Sequence, residues 1–453
     1  MKENEEINRI CKEVIAKIRP DEMERRKVKA VTDLIINKIN KKASERGIEA
    51  YSISVGSTAR NTWISGEADI DIFIMFPEDM SEEDLKEKGL ALAKSISDRY
   101  EERYASHPYI HAYFYDAEGR TEHKADLVPC FSVKNASLLK SAVDRTPFHN
   151  EYIMKRIPGL EEEVLLLKQF LKSSGIYGSE QRRKGFSGYL CELLILNYSS
   201  FAELLRHASK WKYGERMDIE GYGKYKGEDP LIVIDPVDPN RNVAAAVSLD
   251  SFCRLIDSAR AFFACPDASF FALAKKKEMS RAEFVKRIKE RGTEFVMVLF
   301  EAPDVVEDIL FPQLRKAESS IAKLIERNGF TIYRCDVSVE GDKAFLMFEL
   351  LVWTLPRITK HVGPPVTSKY HSEEFKSKYA FQQPVRIENG RYVVEVKRKY
   401  TDVVELLKNE LRSCSLGKHV SEEINKGYEV LKNEEIRFFE GLGSFFRDYF
   451  GFG

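Results

Sequence analysis

Two aspartates separated by one residue, Asp69 and Asp71 in Ala-Asp-Ile-Asp-Ile-Phe-Ile, are the residues of this chain whose type and spacing most directly suggest chemistry. Side chains alternate along a strand, so both carboxylates project to one side while Ile70, Ile72 and Ile74 project into a core. Like charges held this close repel each other unless a cation lies between them. Oxygen donors of this kind suit hard ions, Mg²⁺ ahead of Ca²⁺ or Zn²⁺. Two-metal phosphoryl transfer needs a further shared ligand, and Asp126, between apolar Ala125 and Leu127, suits that place on a neighbouring strand. Upstream, with eleven residues between Ser57 and Asp69, the pair Gly56-Ser57 offers backbone N–H groups and a hydroxyl to an anion. Arg60, one turn along, reaches the same place. A lone D-x-D is common as surface alternation, and it is the company of the Gly-Ser pair, the apolar run and the third aspartate that points to catalysis.

Such carboxylates need a sheet to hold them. From Asp21 to Gly47, Val28, Val31, Ile35 and Ile39 recur at helical steps, and a strand follows at Tyr51–Val55 before the Gly-Ser turn. The apolar alternation then predicts a strand from Asp69 to Phe76, a helix over about Ser81–Ser97, and extended runs at Tyr109–Tyr115 and His123–Val128. After Pro129 the pattern becomes helical, as in VLLLKQFLKSSG and GYLCELLILNYSSF. From about Ser280 it mixes again: a helix to Arg291, the strand TEFVMVLF, a helix over Val305–Asn328, and the strands TIYRCDVSV and AFLMFELLVW. Asn389-Gly390 between VRIE and RYVVEVK predicts a hairpin. The fold class expected is α+β and multidomain.

At 453 residues the chain has room for several cores, and 43% hydrophobic with 32% charged residues excludes a disordered or collagenous protein. Lys and Arg number 71 against 72 Asp and Glu, so no global cationic field exists and any nucleic-acid site must come from local segregation. Seven widely spaced cysteines without a C-x-x-C pair read as reduced thiols of a cytoplasmic protein. The charged N-terminus and the short apolar run Phe345–Leu355, broken by Glu349, predict neither secretion nor membrane insertion. His107 and His111 lack a third ligand at suitable spacing and read as loop and strand residues.

Charge is segregated late in the chain. Between Leu350 and Tyr400 ten Lys or Arg stand against four acids, with Tyr370, Tyr379, Phe381 and Tyr392 interleaved. That mixture suits a phosphate backbone and exposed bases, and it equally suits a solvated face over ordinary core aromatics. The last aromatics, Phe438, Phe439, Phe445, Phe446 and Tyr449, are open to two readings as well, core or contact with a second copy, and a homodimer is compatible with the second.

The Gly-Ser pair, the eleven-residue gap and Asp-Ile-Asp-Ile resemble the signature of the polymerase β type nucleotidyltransferases. More narrowly, GSTARNTWISGEADIDIFIMFP, ADLVPCF, SAVDRTPFH, LLLKQFLKSSGIYG, GFSGYLCELLI and DPVDPNRNVAAAVSLD resemble, in order, the archaeal class I CCA-adding enzymes. The resemblance implies addition or repair of the 3′-terminal CCA of tRNA from CTP and ATP without a nucleic-acid template, using two Mg²⁺ ions. It carries the metal-binding and catalytic role onto Asp69, Asp71 and Asp126. Triphosphate contacts fall on Ser57, Arg60, His149, Lys168 and Tyr177, Thr146 lies near the ribose and phosphates, and Arg241 and Asn242 lie at the incoming base. By their residue types alone, Lys168 could snorkel from its apolar helix, His149 could serve a helix start, and Arg241 with Asn242 could be loop polarity. The same resemblance implies a head over 1–136, a helical neck over 137–260, a body over 261–320 and 401–453, and a tRNA-binding tail over 321–400. The competing readings are a poly(A) polymerase or an oligoadenylate synthetase of the same superfamily, separated by CTP use and product length, and a non-catalytic RNA-binding scaffold, against which the intact Asp69, Asp71 and Asp126 argue. No G-x-x-x-x-G-K-[ST] is present to suggest a P-loop NTPase.

Overall fold

Apolar alternation builds the strand that carries the aspartates, and helices on one side of it supply the core. The computed structural model describes residues 2–104, 108–115, 122–135, 138–273, 278–380 and 384–451, and the chain divides into two units, Met1–Ala274 and Lys275–Gly453. The first unit opens with α1 (Lys2–Ile18) and α2 (Glu22–Glu45). Asp21 caps α2 by accepting the Glu24 N–H at 2.7 Å, where its place ahead of the apolar repeat puts a cap. Then come β1 (Tyr51–Val55), α3 (Gly56–Arg60), β2 (Ile70–Pro77), α4 (Glu82–Ile96), β3 (Arg99–Tyr104), β4 (Pro108–Tyr115) and β5 (Glu122–Ser132).

These five strands form one sheet in the order β1-β2-β5-β4-β3, with β2 and β5 parallel and the other neighbours antiparallel. Along β2, Ile72, Ile74 and Phe76 are wholly buried in a core shared with Ile35 and Ile39 of α2 and Leu92 of α4. Phe73 and Met75 face the other way, into a smaller cluster with Val55 and Cys130. Asp71 shares that thinly covered face by the two-residue period of the strand. The expected Gly-Ser turn is the single helical turn α3. Strand β3 goes unsignalled in the sequence because RYEERY is exposed at every position, as an edge strand can be, and so has no apolar face to reveal it.

The rest of the first unit is mainly helical: α5 (Thr146–Met154), α6 (Glu161–Ser173), α7 (Gly188–Tyr198), α8 (Phe201–Ala208), the strand pair β6 (Glu215–Met217) and β7 (Leu231–Val233), and α9 (Leu249–Ala264). Leu167, Phe170, Leu193, Leu194 and Phe262 are wholly buried in its single core. Among these apolar helices, α6 and α7 each bury a charged side chain as well, and these exceptions help define the site below.

The second unit holds α10 (Arg281–Arg291), β8 (Glu294–Glu301), α11 (Glu307–Arg327), β9 (Thr331–Glu340), β10 (Lys343–Val352), β11 (Ile358–Pro365), α12 (Lys369–Tyr379), β12 (Arg386–Glu388), β13 (Arg391–Lys397), α13 (Val403–Glu410), α14 (Lys418–Lys426), β14 (Glu429–Lys432) and α15 (Leu442–Tyr449). An antiparallel sheet β14-β8-β10-β9 packs against α11, α13 and α14, and a three-stranded sheet β11-β13-β12 packs against α12. The hairpin forms at Asn389 and Gly390, both at positive φ (46° and 72°), with Glu388 opposite Arg391. Glu349, which interrupts the apolar run of β10, is wholly buried and accepts from Arg291 Nε and Thr293 Oγ1, each at 2.6 Å, and from Tyr449 Oη at 3.0 Å. The terminal aromatics are core: Phe446 and Tyr449 are buried, and Phe438, Phe439 and Phe445 pack against the same cluster. Of the aromatics interleaved with the basic run, Tyr379 and Tyr392 are core residues and Tyr370 is exposed, while Phe381 lies outside the described residues.

Candidate active site

Strand register places the carboxylates in line. Val55 of β1 pairs with Asp71 of β2, Asp71 with Asp126 of β5, Asp126 with His111 of β4, and His111 with Glu101 of β3. Residues directly opposite one another share a face, so Asp71, Asp126 and His111 form a transverse row. Asp69 lies just ahead of β2 and, through its charge, interacts with Asp126. His111 Nδ1 stands 2.5 Å from Asp126 Oδ1, a partner that spacing along the sequence did not reveal. His107 lies outside the described residues.

Gly56 explains the first half of the motif. It sits at φ +78°, and a Cβ there would come within 2.1 Å of Asp71 Oδ2. The residue therefore needs both the backbone freedom and the missing side chain of glycine.

The row is short of positive charge. Burial, then the Asp126 and Asp69 carboxylates, push Asp71 up to about 7, with Arg60 opposing. Burial and Asp126 also raise Asp69, against Lys172 and His111. Among the described residues no three His, Cys, Asp or Glu side chains stand together so as to hold a metal ion as they lie. Donor type and charge nevertheless fit a hard divalent cation, which would replace the missing counter-charge and release the mutual repulsion.

A second constellation joins α3 to the helices. Arg60, itself buried, donates from Nε to Glu192 Oε1 at 2.8 Å and from NH1 to Asn150 Oδ1 at 2.9 Å. Glu192 of α7 is wholly buried, and its Oε1 also accepts from Thr62 Oγ1 at 2.6 Å. Lys168 of α6 does not snorkel to solvent: it is buried and donates from Nζ to the Thr62 carbonyl at 2.6 Å. Burial lowers its pKa, opposed by the charge of Glu192. A Cβ on Gly188 would lie 3.3 Å from Tyr177 Oη and 3.6 Å from Lys168 Nζ, so these two polar ends flank the first residue of α7. Burial likewise raises the Tyr177 phenol.

A third constellation surrounds Asp235, which follows β7 and is wholly buried. It accepts from His149 of α5 and from Arg241, while Arg145 pairs with Asp238 at 3.0 Å. Burial opposes ionisation of Asp235, but the His149 hydrogen bond and charge, with the Val237 N–H and Arg241, hold it at about 2. Burial lowers His149 despite that carboxylate. Asn242 is committed to the loop: its Oδ1 accepts the Val233 and Ala244 N–H groups and its Nδ2 donates to Asp229 and the Leu231 carbonyl, all at 2.9 Å. Thr146 opens α5 and Ser57 is the second residue of α3, both partly buried. Glu192, Asp235 and Asn150 were not singled out from the sequence. A lone acid in the apolar run Leu190–Leu196 of α7 was the available signal for Glu192, since such a group must find partners.

A sheet that lines up aspartates beside a Gly-Ser helix start defines a nucleotidyltransferase, and residues 36–149 match the family model described as a nucleotidyltransferase domain. Residues 162–272 match the second domain of tRNA nucleotidyltransferase and residues 291–433 the C-terminal domain of CCA-adding enzyme. The chain is 45% identical to the CCA-adding enzyme of Methanosarcina barkeri, over 93% of each chain. Identity to the CCA-adding enzyme of Archaeoglobus fulgidus is 38%, over 95% of this chain and 96% of that one. The chain thus belongs to the family of CCA-adding enzymes, with a multidomain α+β fold. The nucleotidyltransferase superfamily generally uses divalent metal ions. No helix among the described residues is long and apolar enough to cross a membrane.

Proposed function

We propose that this chain, a CCA-adding enzyme that extends tRNA without a nucleic-acid template, works through the three constellations of its first unit. Asp69, Asp71 and Asp126 would hold two Mg²⁺ ions, whose chemistry is to lower the pKa of the attacking hydroxyl and neutralise charge on the leaving pyrophosphate. The observation that carries this reading is the row Asp71–Asp126, three carboxylates with Asp69, held beside Gly56 with too little positive charge around them.

The tRNA 3′-hydroxyl attacks the α-phosphorus of CTP or ATP in line, and pyrophosphate leaves. Ser57, Arg60, Lys168, Tyr177 and His149 bind the triphosphate, with Thr146 near the ribose, and their work is orientation, a contribution of about 7–11 kcal/mol at best. Arg60 and Lys168 are pre-set for this by Glu192 and the Thr62 carbonyl, so they need not reorganise when the anion arrives. Arg241 reads the base, and Asn242 fixes the loop that carries it. Choice of C and A over G and U then comes from leaving the wrong base with unpaired polar groups. The basic run Leu350–Tyr400 docks the acceptor-stem side of tRNA by shape and phosphate contact, and such binding weakens steeply with salt. The seven free cysteines accord with a reducing cytoplasm. A homodimer remains part of the reading, and a single-chain mass by light scattering removes it.

The test is incubation with Mg²⁺ and a tRNA lacking its CCA, offering labelled CTP, ATP, GTP and UTP separately and together. Two C and then one A, with no further growth, are expected. A long A tail would make the chain a poly(A) polymerase in activity, and tight tRNA binding without incorporation would make it a scaffold.

A further inference from the structure

Asp235 is a wholly buried carboxylate on which two proposed nucleotide contacts converge. Its Oδ2 accepts from His149 Nε2 at 2.9 Å and from Arg241 NH1 at 2.8 Å. Its Oδ1 accepts from Tyr189 Oη at 3.3 Å and from the Val237 N–H at 3.0 Å. The His149 and Tyr189 rings stack with centroids 4.0 Å apart, which fixes the imidazole against α7. The backbone closes the same loop, with the Asp235 N–H donating to the Arg241 carbonyl at 3.0 Å and the Arg241 N–H to the Asp238 carbonyl at 2.9 Å. About a third of the Arg241 side chain stays exposed, so this cation is anchored at one end and open at the other.

A buried carboxylate must have partners, yet packing alone does not require those partners to be the residues assigned to the two ends of the nucleotide. The guanidinium is planar, and pinning NH1 sets the direction of its remaining N–H donors. An arginine free to rotate could satisfy any base, whereas a pinned one leaves a wrong base unpaired.

We propose that Asp235 is a positioning residue for the incoming nucleotide, with a single oxygen aligning Arg241 at the base and His149 at the phosphates so that the two ends are gauged from one point. This rests on the nucleotide-binding roles proposed above for those two residues. Removing the charge loosens both ends together and leaves the metal-binding row and the tRNA surface untouched.

The first experiment is steady-state extension by Asp235→Asn of a tRNA lacking its CCA. KM for CTP and for ATP rises about tenfold, KM for tRNA stays within about twofold, and G or U incorporation increases. Unchanged nucleotide KM overturns the proposal, as does a loss spread equally over kcat and both KM values in step with a falling folded fraction. The second experiment does not depend on that variant folding. In a cycle of His149→Ala, Arg241→Ala and the double variant, the double raises nucleotide KM less than the product of the singles by about threefold or more, because both residues lean on one oxygen. Additive effects contradict a shared anchor. Should the wild type fail to extend tRNA at all, the functional reading falls, while calorimetric binding of CTP and ATP to the same set of proteins still decides the role of Asp235.

Discussion

The acids of the sheet and the buried acids of the mainly helical part of the first unit are opposites. Asp71 and Asp126 stand side by side with Asp69, and the neighbouring carboxylates raise the demand of Asp69 and Asp71 for protons or cations. Glu192 and Asp235 are wholly buried, and each is met by a cation, Arg60 on Glu192 and Arg241 on Asp235, where His149 adds a hydrogen bond. On the proposed roles, the acids left unbalanced await a metal, and an acid paired with an arginine aims that arginine at the nucleotide. On that reading carboxylates serve metal and nucleotide from two sides, distinguished by which were left short of a cation.

Substitutions on the two sides break in different ways. Asp71→Asn should lower the rate of both C and A addition by about three powers of ten or more, since on the proposed reading it removes a ligand of the metal that would neutralise charge developing in the transition state. Rates are read by single-turnover primer extension, with folding checked by circular dichroism. Glu192→Gln should instead strike stability: it strands the buried Arg60 charge at a cost of about 3–5 kcal/mol, read by denaturant unfolding. Gly56→Ala is smaller in stability, about 1–3 kcal/mol for a strained left-handed backbone, but it drives a methyl into Asp71 and should abolish most activity.

Acid separates the sides further. Asp235 is held at about 2, below its unfolded value of about 3.9, so the folded state binds that proton more weakly. Its contribution, about 2–3 kcal/mol, is whole above the unfolded value and is lost as pH falls through about 2. The stability gap between wild type and Asp235→Asn should shrink over that window, measured by chemical denaturation at stepped pH. The smallest effect belongs to Asp71→Asn without metal, which relieves repulsion and should raise Tm by about 2–4 °C.

Much of this contrast was legible in the residues, but unevenly. The sheet side was readable because strand alternation has a period of two, so Asp69-Ile-Asp71 with its apolar neighbours states its own geometry. Asp126 could be matched to it as a third strand aspartate, and the register places it opposite Asp71. The helical side was not readable in the same way, because its hubs join residues far apart in the chain: Arg60 with Glu192, and His149 with Asp235 and Arg241. No local period encodes such meetings. His111 shows the same limit inside the sheet, where only the β4 to β5 register brings it to Asp126. Strand β3 escaped because an edge with charged residues on both faces has no hydrophobic signal. The basic run was readable as charge, but the sequence could not say that Tyr379 and Tyr392 are spent on a core while Tyr370 is exposed.

The most direct test of this contrast is to titrate Mn²⁺, followed by electron paramagnetic resonance, into wild type, Asp71→Asn and Asp235→Asn in the presence of CTP. The account predicts that Asp71→Asn loses the protein-bound Mn²⁺ signal while Asp235→Asn, at CTP raised to saturate its weaker site, retains it. Retention of full Mn²⁺ binding by Asp71→Asn would contradict the assignment of the unbalanced row as the metal site.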